Sequence, residues 1–361
     1  MERIYNFNPG PAALPLAVLE EVQSELLNFK GSGISILESS HRAKEYEAVN
    51  SEAEALIKEL LAVPENYRVL FLQGGANTQF AAVPLNLIAP EKHADYILTG
   101  TWAQKAYDEA KKFAAVNAIA STKEENFSRI PAMDEIKVTE NPVYVHLCSN
   151  NTIFGTQWQT YPDFGNIPIV ADMSSDIMSR SIDVSKFSLI YAGAQKNLGP
   201  AGVTAVIIRN DLLENIPANI PTMLRYDIHA KNNSLYNTPP CFAVYMVNLV
   251  CKWIKNNGSL AAVEKINDEK AALIYNTIDN SGGFYKGHAV KDSRSKMNIT
   301  FRLPDEDLEK AFVAEATKQG MIGLKGHRSV GGIRASIYNA TPLEACKTLS
   351  EFMKVFQDKN C

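Results

Sequence analysis

The sequence predicts an α/β protein, with a large domain whose mostly parallel sheet is sandwiched by helices and a smaller C-terminal α+β domain. Three observations predict it. Short apolar runs rich in β-branched and aromatic residues alternate with helix-period segments from about residue 67 to 209, the pattern of βαβ units. The 361 residues, 46% of them hydrophobic, suffice for about two domains with sizeable cores. After Asn257-Gly258, a standard helix stop, the alternation gives way to longer helices interleaved with isolated strands. The expected division is 15–257 for the large domain, with 1–14 and 258–361 forming the small one.

Taken in order, an irregular arm precedes a helix over 14–29, which Gly31 and Gly33 end. The loop 38–42 then delivers Arg42 just before a long amphipathic helix over 43–61, closed by Pro64. An arginine is less welcome than an acid near a helix start, where the macrodipole is positive, so Arg42 is either a solvated charge or a ligand-binding one. Residues 67–72 read as a buried strand, 73–78 as a turn and 79 onward as a helix that Pro84 bends. Strand, Gly74-Gly75 turn and helix make an anion cup, because bare N–H groups and the dipole at a helix start favour a phosphate. A plain tight turn is the other reading.

A strand at 95–99 hands over at Gly100 and Trp102 to a helix through about 113. Trp102 is either core or, at the carboxyl edge of a parallel sheet, a flat stacking surface. Further strands lie at 143–147, 168–172, 189–191 and 203–209. Asp172 ends one of them, where a carboxylate is costly unless exposed or paired, so it either caps the turn toward Ser174 or faces a cation. Thr152, in Asn150-Asn-Thr152, belongs to a hydrogen-bonding turn or to a site. The irregular stretch 213–240, with Tyr236-Asn-Thr-Pro-Pro240, is long for a loop inside a domain and reads as functional or as covering a partner. A helix over 242–255 closes the large domain.

The small domain reads as a helix over 260–278, a strand at 297–301, a helix over 305–319, a strand at 332–337 and a final helix from 343. Between them His327, Arg328 and Arg334 fall within eight residues, on and beside a glycine loop. Two arginines there can bind two anionic groups bidentately, or they form a surface charge cluster.

The chemistry centres on Lys196. It follows an apolar strand and lies among Gly193, Gly199, Pro200 and Gly202, too densely punctuated for a helix. It is either a solvated turn lysine or a nucleophile, which needs a lowered pKa because only the neutral amine attacks a carbonyl. Other chemistries are excluded by what the chain lacks. With 36 basic and 40 acidic residues and a net charge of -4, no block of basic residues marks a nucleic-acid binder. Five scattered cysteines without a C-x-x-C pair and six dispersed histidines give neither a disulfide framework nor a metal site. Neither G-x-G-x-x-G, a P-loop nor a G-x-S-x-G elbow occurs. The polar, proline-broken start is no secretory leader, and no apolar run reaches the roughly 20 residues of a membrane span, so a cytoplasmic protein is expected. A lysine, a strand-end aspartate, an anion cup, an aromatic platform and separate arginines together match pyridoxal phosphate.

The chain resembles the phosphoserine aminotransferase family of class V, fold-type-I pyridoxal phosphate enzymes, over essentially its whole length. The stretches that carry the resemblance are Asn6-Phe-Asn-Pro-Gly-Pro11, Ser40-His-Arg42, Ala192-Gly-Ala-Gln-Lys-Asn197, Tyr236-Asn-Thr-Pro-Pro240, Lys325-Gly-His-Arg328 and Arg334-Ala-Ser-Ile-Tyr-Asn339. The resemblance implies that Lys196 forms the Schiff base, that Asp172 pairs with the pyridine nitrogen, that Trp102 stacks on the ring and that Thr152 bonds its hydroxyl side. It implies a phosphate cradle of Ala76, Asn77 and Gln195, with Asn237 and Thr238 from a neighbouring subunit, hence a homodimer. Arg334 is implied to take the substrate α-carboxylate, and Arg42, His327 and Arg328 the substrate phosphate or the glutamate side chain. The implied reaction is a ping-pong transfer from L-glutamate to 3-phosphohydroxypyruvate, giving phosphoserine and 2-oxoglutarate. In bacteria the resemblance extends to the phosphohydroxythreonine substrate of vitamin B6 synthesis. Many members carry Gly-Arg where this chain has Ala76-Asn77, so the cradle has lost a formal charge while keeping its backbone donors. Pro9 likewise stands where relatives often have serine. The rival readings are a class V lyase such as a cysteine desulfurase, which needs a cysteine facing the cofactor, and a non-catalytic anion-binding protein, which has no use for Lys196.

Overall fold

Apolar side chains alternate in direction along each strand of the central sheet and so build two separate cores, one on each face. In β1 (Tyr67–Leu72), Val69 and Phe71 enter one core while Leu70 and Leu72 enter the other. The same alternation runs through β2 (His93–Leu98), β3 (Ala115–Ser121), β4 (Val145–Cys148), β5 (Ile169–Asp172), β6 (Leu189–Gly193) and β7 (Thr204–Arg209). The structure, a computed structural model, describes residues 3–361.

The seven strands lie in the order β1-β7-β6-β5-β4-β2-β3. β7 is antiparallel to both its neighbours and every other pair is parallel. It follows that β1 to β6 all point one way, and their carboxyl ends open on one edge, where open α/β sheets bind ligands. The helices flanking this sheet are α1 (Leu16–Glu25), α2 (Lys44–Leu60), α3 (Gly75–Leu87), α4 (Thr101–Ala110), α5 (Tyr226–Lys231) and α6 (Cys241–Asn256). α1, α2 and α6 bury their apolar faces in the first core and α3, α4 and α5 in the second.

A second sheet, antiparallel, joins β8 (Lys286–Gly287), β9 (Asn298–Arg302) and β10 (Ile333–Ser336) in that order. It packs with α7 (Ser259–Asp279), α8 (Glu306–Lys318) and α9 (Leu343–Asn360) over a core of interlocking rings that includes Tyr285, Phe301, Phe312 and Phe356. The amino-terminal arm belongs to this unit in space: Tyr5–Asn6 pairs in parallel with Met321–Ile322, and Phe7 enters the same core.

Beside α7, buried polar groups tie the segment after β10 first to α7 and then to loops of the central sheet. Lys270 is fully buried, and its ammonium donates to the carbonyls of Ile337 (2.9 Å), Tyr338 (2.7 Å) and Thr341 (3.1 Å). Burial pushes its pKa down to about 8. One turn earlier, Asn267 donates to the Asn339 side chain and to Ser179 O, and Asn339 N–H donates to Asn197, the residue after Lys196. Lys270→Met removes the ammonium donor from the Ile337 and Thr341 carbonyls, while Tyr338 O still accepts from Thr341 N–H, and is expected to lower the unfolding free energy by about 2–5 kcal/mol, since each such loss costs roughly 1–3 kcal/mol. A urea-unfolding midpoint equal to that of the parent chain would contradict this role.

Some expected boundaries move. The first helix ends at Glu25, and a short 3₁₀ turn at Phe29–Gly31 follows, with Lys30 at φ 47. α3 begins at Gly75 rather than residue 79. β3 is absent from the sequence reading because Ala115–Ser121 is a half-exposed edge strand built largely of small residues. Within 213–240, six residues form α5. No helix among the described residues is long and apolar enough to cross a membrane.

Candidate active site

The ends of five of the six parallel strands, β1, β2, β4, β5 and β6, supply the groups that gather at this edge. Lys196 follows β6, and its ammonium donates to Thr152 Oγ1 at 2.7 Å and lies 5.5 Å from the centre of the Trp102 ring. Thr152 is buried in the tight Asn150–Gln157 hairpin after β4, and Trp102 opens α4 after β2. Asp172 is the last residue of β5, in register with Cys148 and with Tyr191. Its carboxylate accepts from Ser174 N–H at 2.9 Å.

Burial raises the Asp172 pKa, against the opposing charge of Lys196; burial lowers that of Lys196, against the charge of Asp172. The two groups, Asp172 buried and Lys196 half-buried, are thus partners whose protonation depends on each other. Loss of hydration makes the neutral lysine, the reactive form, more accessible than in water. Lys270 shows that a depressed pKa alone does not mark a reactive lysine, because its hydrogens are all committed to carbonyls.

The amino-terminal arm closes one side. Ala12 N–H donates to Gln195 O at 2.9 Å, and a Cβ on Gly10 would come within 3.2 Å of Lys196 Cγ. Gly193 leaves room for the Gln195 amide, to which a Cβ would come within 2.8 Å. Across the sheet edge, Gly74 caps α3 at φ 90, a conformation that favours glycine, and a side chain there would overlap Thr78. Ala76 and Asn77 fall in the first turn of α3, where N–H groups have no partner within the helix. Asn237 lines a cavity of about 440 Å³ together with Gly74 and Thr78, and the Thr238 carbonyl accepts from Gln73 Nε2 at 3.1 Å.

Arg334 is the most informative charge. It is buried on β10, its Nη1 reaches only Thr152 O at 3.4 Å, and its Nε has no partner among the described residues. A buried guanidinium without a carboxylate is an open anion site. His327 lies near it: burial lowers the imidazole pKa, and the positive charges of Arg334, Arg328 and Lys105 lower it further. The structure therefore brings together Lys196, Thr152, Trp102, Asp172 and Arg334, with His327 and Arg328 alongside. Arg42 stands apart, exposed at the turn before α2, and no hydrogen bond or ion pair joins its side chain to these residues.

The Aminotransferase class-V family profile matches residues 4–349. This chain belongs to the class-V aminotransferases. It is 62% identical to the phosphoserine aminotransferase of Herpetosiphon aurantiacus, over 99% of both chains. The solved structure of the phosphoserine aminotransferase from Bacillus circulans subsp. alkalophilus superposes with a TM-score of 0.98 at 54% identity, each chain covered completely. The PLP-bound phosphoserine aminotransferase of Trichomonas vaginalis superposes at 0.94 and 43% identity, over 98% of this chain and 100% of that one.

The residues present fit such a cofactor. The bare α3 amino terminus suits a phosphate, buried Asp172 suits a protonated ring nitrogen, and the unpartnered Trp102 Nε1 and Asn151 Oδ1 mark polar atoms left open at the site. Two residues that sequence reasoning passed over also border the site. Cys148 is buried against Asp172, donates to Asn150 O, and is pushed well above the ordinary thiol range by burial, which disfavours the thiolate that a desulfurase would need. Lys105, one turn after Trp102, places its ammonium 4.6 Å from that ring. Only its helical spacing from Trp102 could have pointed to it.

Proposed function

We propose that this chain is a pyridoxal phosphate-dependent aminotransferase that moves the amino group of L-glutamate to 3-phosphohydroxypyruvate, giving O-phospho-L-serine and 2-oxoglutarate. The observation that carries this reading is the pairing of a half-buried lysine with a buried strand-end aspartate, with an uncompensated buried arginine beside them. Full-length identity to phosphoserine aminotransferases supports the substrate pair.

Lys196 is the residue that would hold the cofactor, with Asp172 at its ring nitrogen, Trp102 on its face and Thr152 at its hydroxyl side. Ala76, Asn77 and Gln195 would hold its phosphate. When bound, the cofactor supplies an electron sink for the carbanion formed at the amino acid's α-carbon. Asp172 keeps that sink charged, and burial strengthens the pairing because little water screens it. Arg334 fixes the α-carboxylate through a planar fork and so orients the Cα–H bond. Lys196 Nζ would accept the substrate's α-proton as general base and return it as general acid. Thr152 Oγ1, 2.7 Å from that nitrogen, steadies it between the two transfers. The same arginine serves the second half-reaction, since both substrates carry an α-carboxylate.

His327, Arg328 and Arg42 are the groups proposed for the distal charge, a carboxylate in one substrate and a phosphate in the other. Asn237 and Thr238 are proposed to reach the phosphate cradle of a second copy, making the working unit a cytoplasmic homodimer. Phosphohydroxythreonine is a further substrate of the same chemistry. Glutamate is expected to bleach the visible absorbance of the cofactor-loaded protein, and 3-phosphohydroxypyruvate to restore it with release of phosphoserine. If phosphohydroxypyruvate leaves the band bleached while another oxo acid restores it, the substrate assignment is wrong.

A further inference from the structure

The first turn of α3 carries no charged side chain, although a phosphate seated there is close to a dianion at neutral pH. A cation outside any ion pair comes from the next helix. Asn77 and Thr78 share a cavity of about 520 Å³ with Lys105, Asp108, Glu109 and Lys112 of the α4 segment. Lys112 is bound to Glu109 at 2.6 Å, and Asp108 accepts from Gln104 at 3.0 Å. Lys105 has no ion-pair partner among the described residues, and its ammonium rests 4.6 Å from the Trp102 ring centre. Its charge is also felt at His327, together with those of Arg334 and Arg328. An exposed lysine would ordinarily pair with the acids at i+3 and i+4 on its own helix. Here both of those acids are engaged elsewhere, and the lysine lies on the aromatic ring that faces Lys196.

We propose that Lys105 supplies the positive charge of the cofactor's phosphate cradle, reaching from α4 across this cavity to the amino terminus of α3. The inference rests on the reading that Lys196 holds pyridoxal phosphate. The α3 N–H groups provide hydrogen bonds and a fractional charge, and Lys105 adds a full one that is mobile and screened by salt. Because its stem is flexible and exposed, it can swing from the Trp102 ring to the phosphate without any change in the backbone.

The test is a binding titration of the apoprotein with pyridoxal phosphate and, separately, with pyridoxal, which lacks the phosphate. Visible absorbance of the lysine-linked cofactor is the readout, for the parent chain, Lys105→Ala and Lys105→Arg. The expected result for Lys105→Ala is a dissociation constant for pyridoxal phosphate raised roughly tenfold or more, as for loss of one charged hydrogen bond. Pyridoxal affinity stays unchanged, inorganic phosphate competes more weakly, and the defect shrinks at high salt. Lys105→Arg keeps affinity near that of the parent chain. Unchanged pyridoxal phosphate affinity in Lys105→Ala overturns the inference, as does an equal loss for both ligands. A higher KM for 3-phosphohydroxypyruvate alone also overturns it, assigning the lysine to the substrate instead. A parent chain that develops no visible band with either ligand defeats the cofactor reading itself, and this inference with it.

Discussion

Lys196→Ala is expected to lower transamination by roughly 10⁴-fold or more and to abolish the visible absorbance of the loaded protein. Two roles are lost at once, covalent attachment of the cofactor and the proton transfer at the α-carbon, and general acid–base catalysis alone is worth about 10²–10⁴-fold. No other amine can substitute locally. Lys270 is fully buried and committed to three carbonyls, and Lys105 is exposed to water, which favours its charged, unreactive form. Steady-state turnover and an absorbance spectrum check the prediction; a variant retaining a tenth of parental activity would refute it.

The second large effect is at Arg334. Arg334→Ala removes a buried guanidinium whose Nε has no partner and whose pKa burial drives down. Truncating one member of a buried charge pair costs roughly 2–5 kcal/mol, and each 1.4 kcal/mol is tenfold, so the KM for glutamate is expected to rise by about 30-fold to several thousand-fold. Stability behaves differently. Without substrate the arginine is an uncompensated charge, so removing it should leave the melting temperature unchanged or raise it. Arg334→Lys should recover only part of the affinity, because an ammonium cannot offer the two parallel donors of a guanidinium. Kinetics and a thermal melt on the same preparations decide the matter. An unaltered glutamate KM in Arg334→Ala would falsify the carboxylate assignment.

How much of this was legible in the chain depends on what kind of signal each part leaves. Strands β1, β4, β5, β6 and β7 were legible because they are buried on both faces and therefore apolar throughout, whereas β3 is an edge strand of small residues with no such run. The start of α3 was set four residues too late because Gly74 and Gly75 look like a turn in isolation; their positive φ values instead cap the helix and put Ala76 and Asn77 in its first turn. Lys196 and Asp172 stood out as charged residues at the ends of apolar strands. Their mutual influence on each other's protonation follows from the register of β5 beside β6, which no local pattern encodes. Lys270 left no signal at all, since a lysine inside an amphipathic helix reads as solvent-facing. The Asn267–Asn339–Asn197 chain that seats the small domain against the Lys196 turn was equally silent, because it joins residues 72 and 142 positions apart.

The central claim is that one lysine, at the carboxyl end of β6, is the attachment point of the cofactor. It is tested most directly by reducing the pyridoxal phosphate-loaded protein with borohydride and mapping the added pyridoxyl mass by peptide mass spectrometry. The mass is expected on the peptide containing Lys196, in a yield close to one per chain. A modification found instead on Lys105 or Lys270, or spread over surface lysines, would contradict the account.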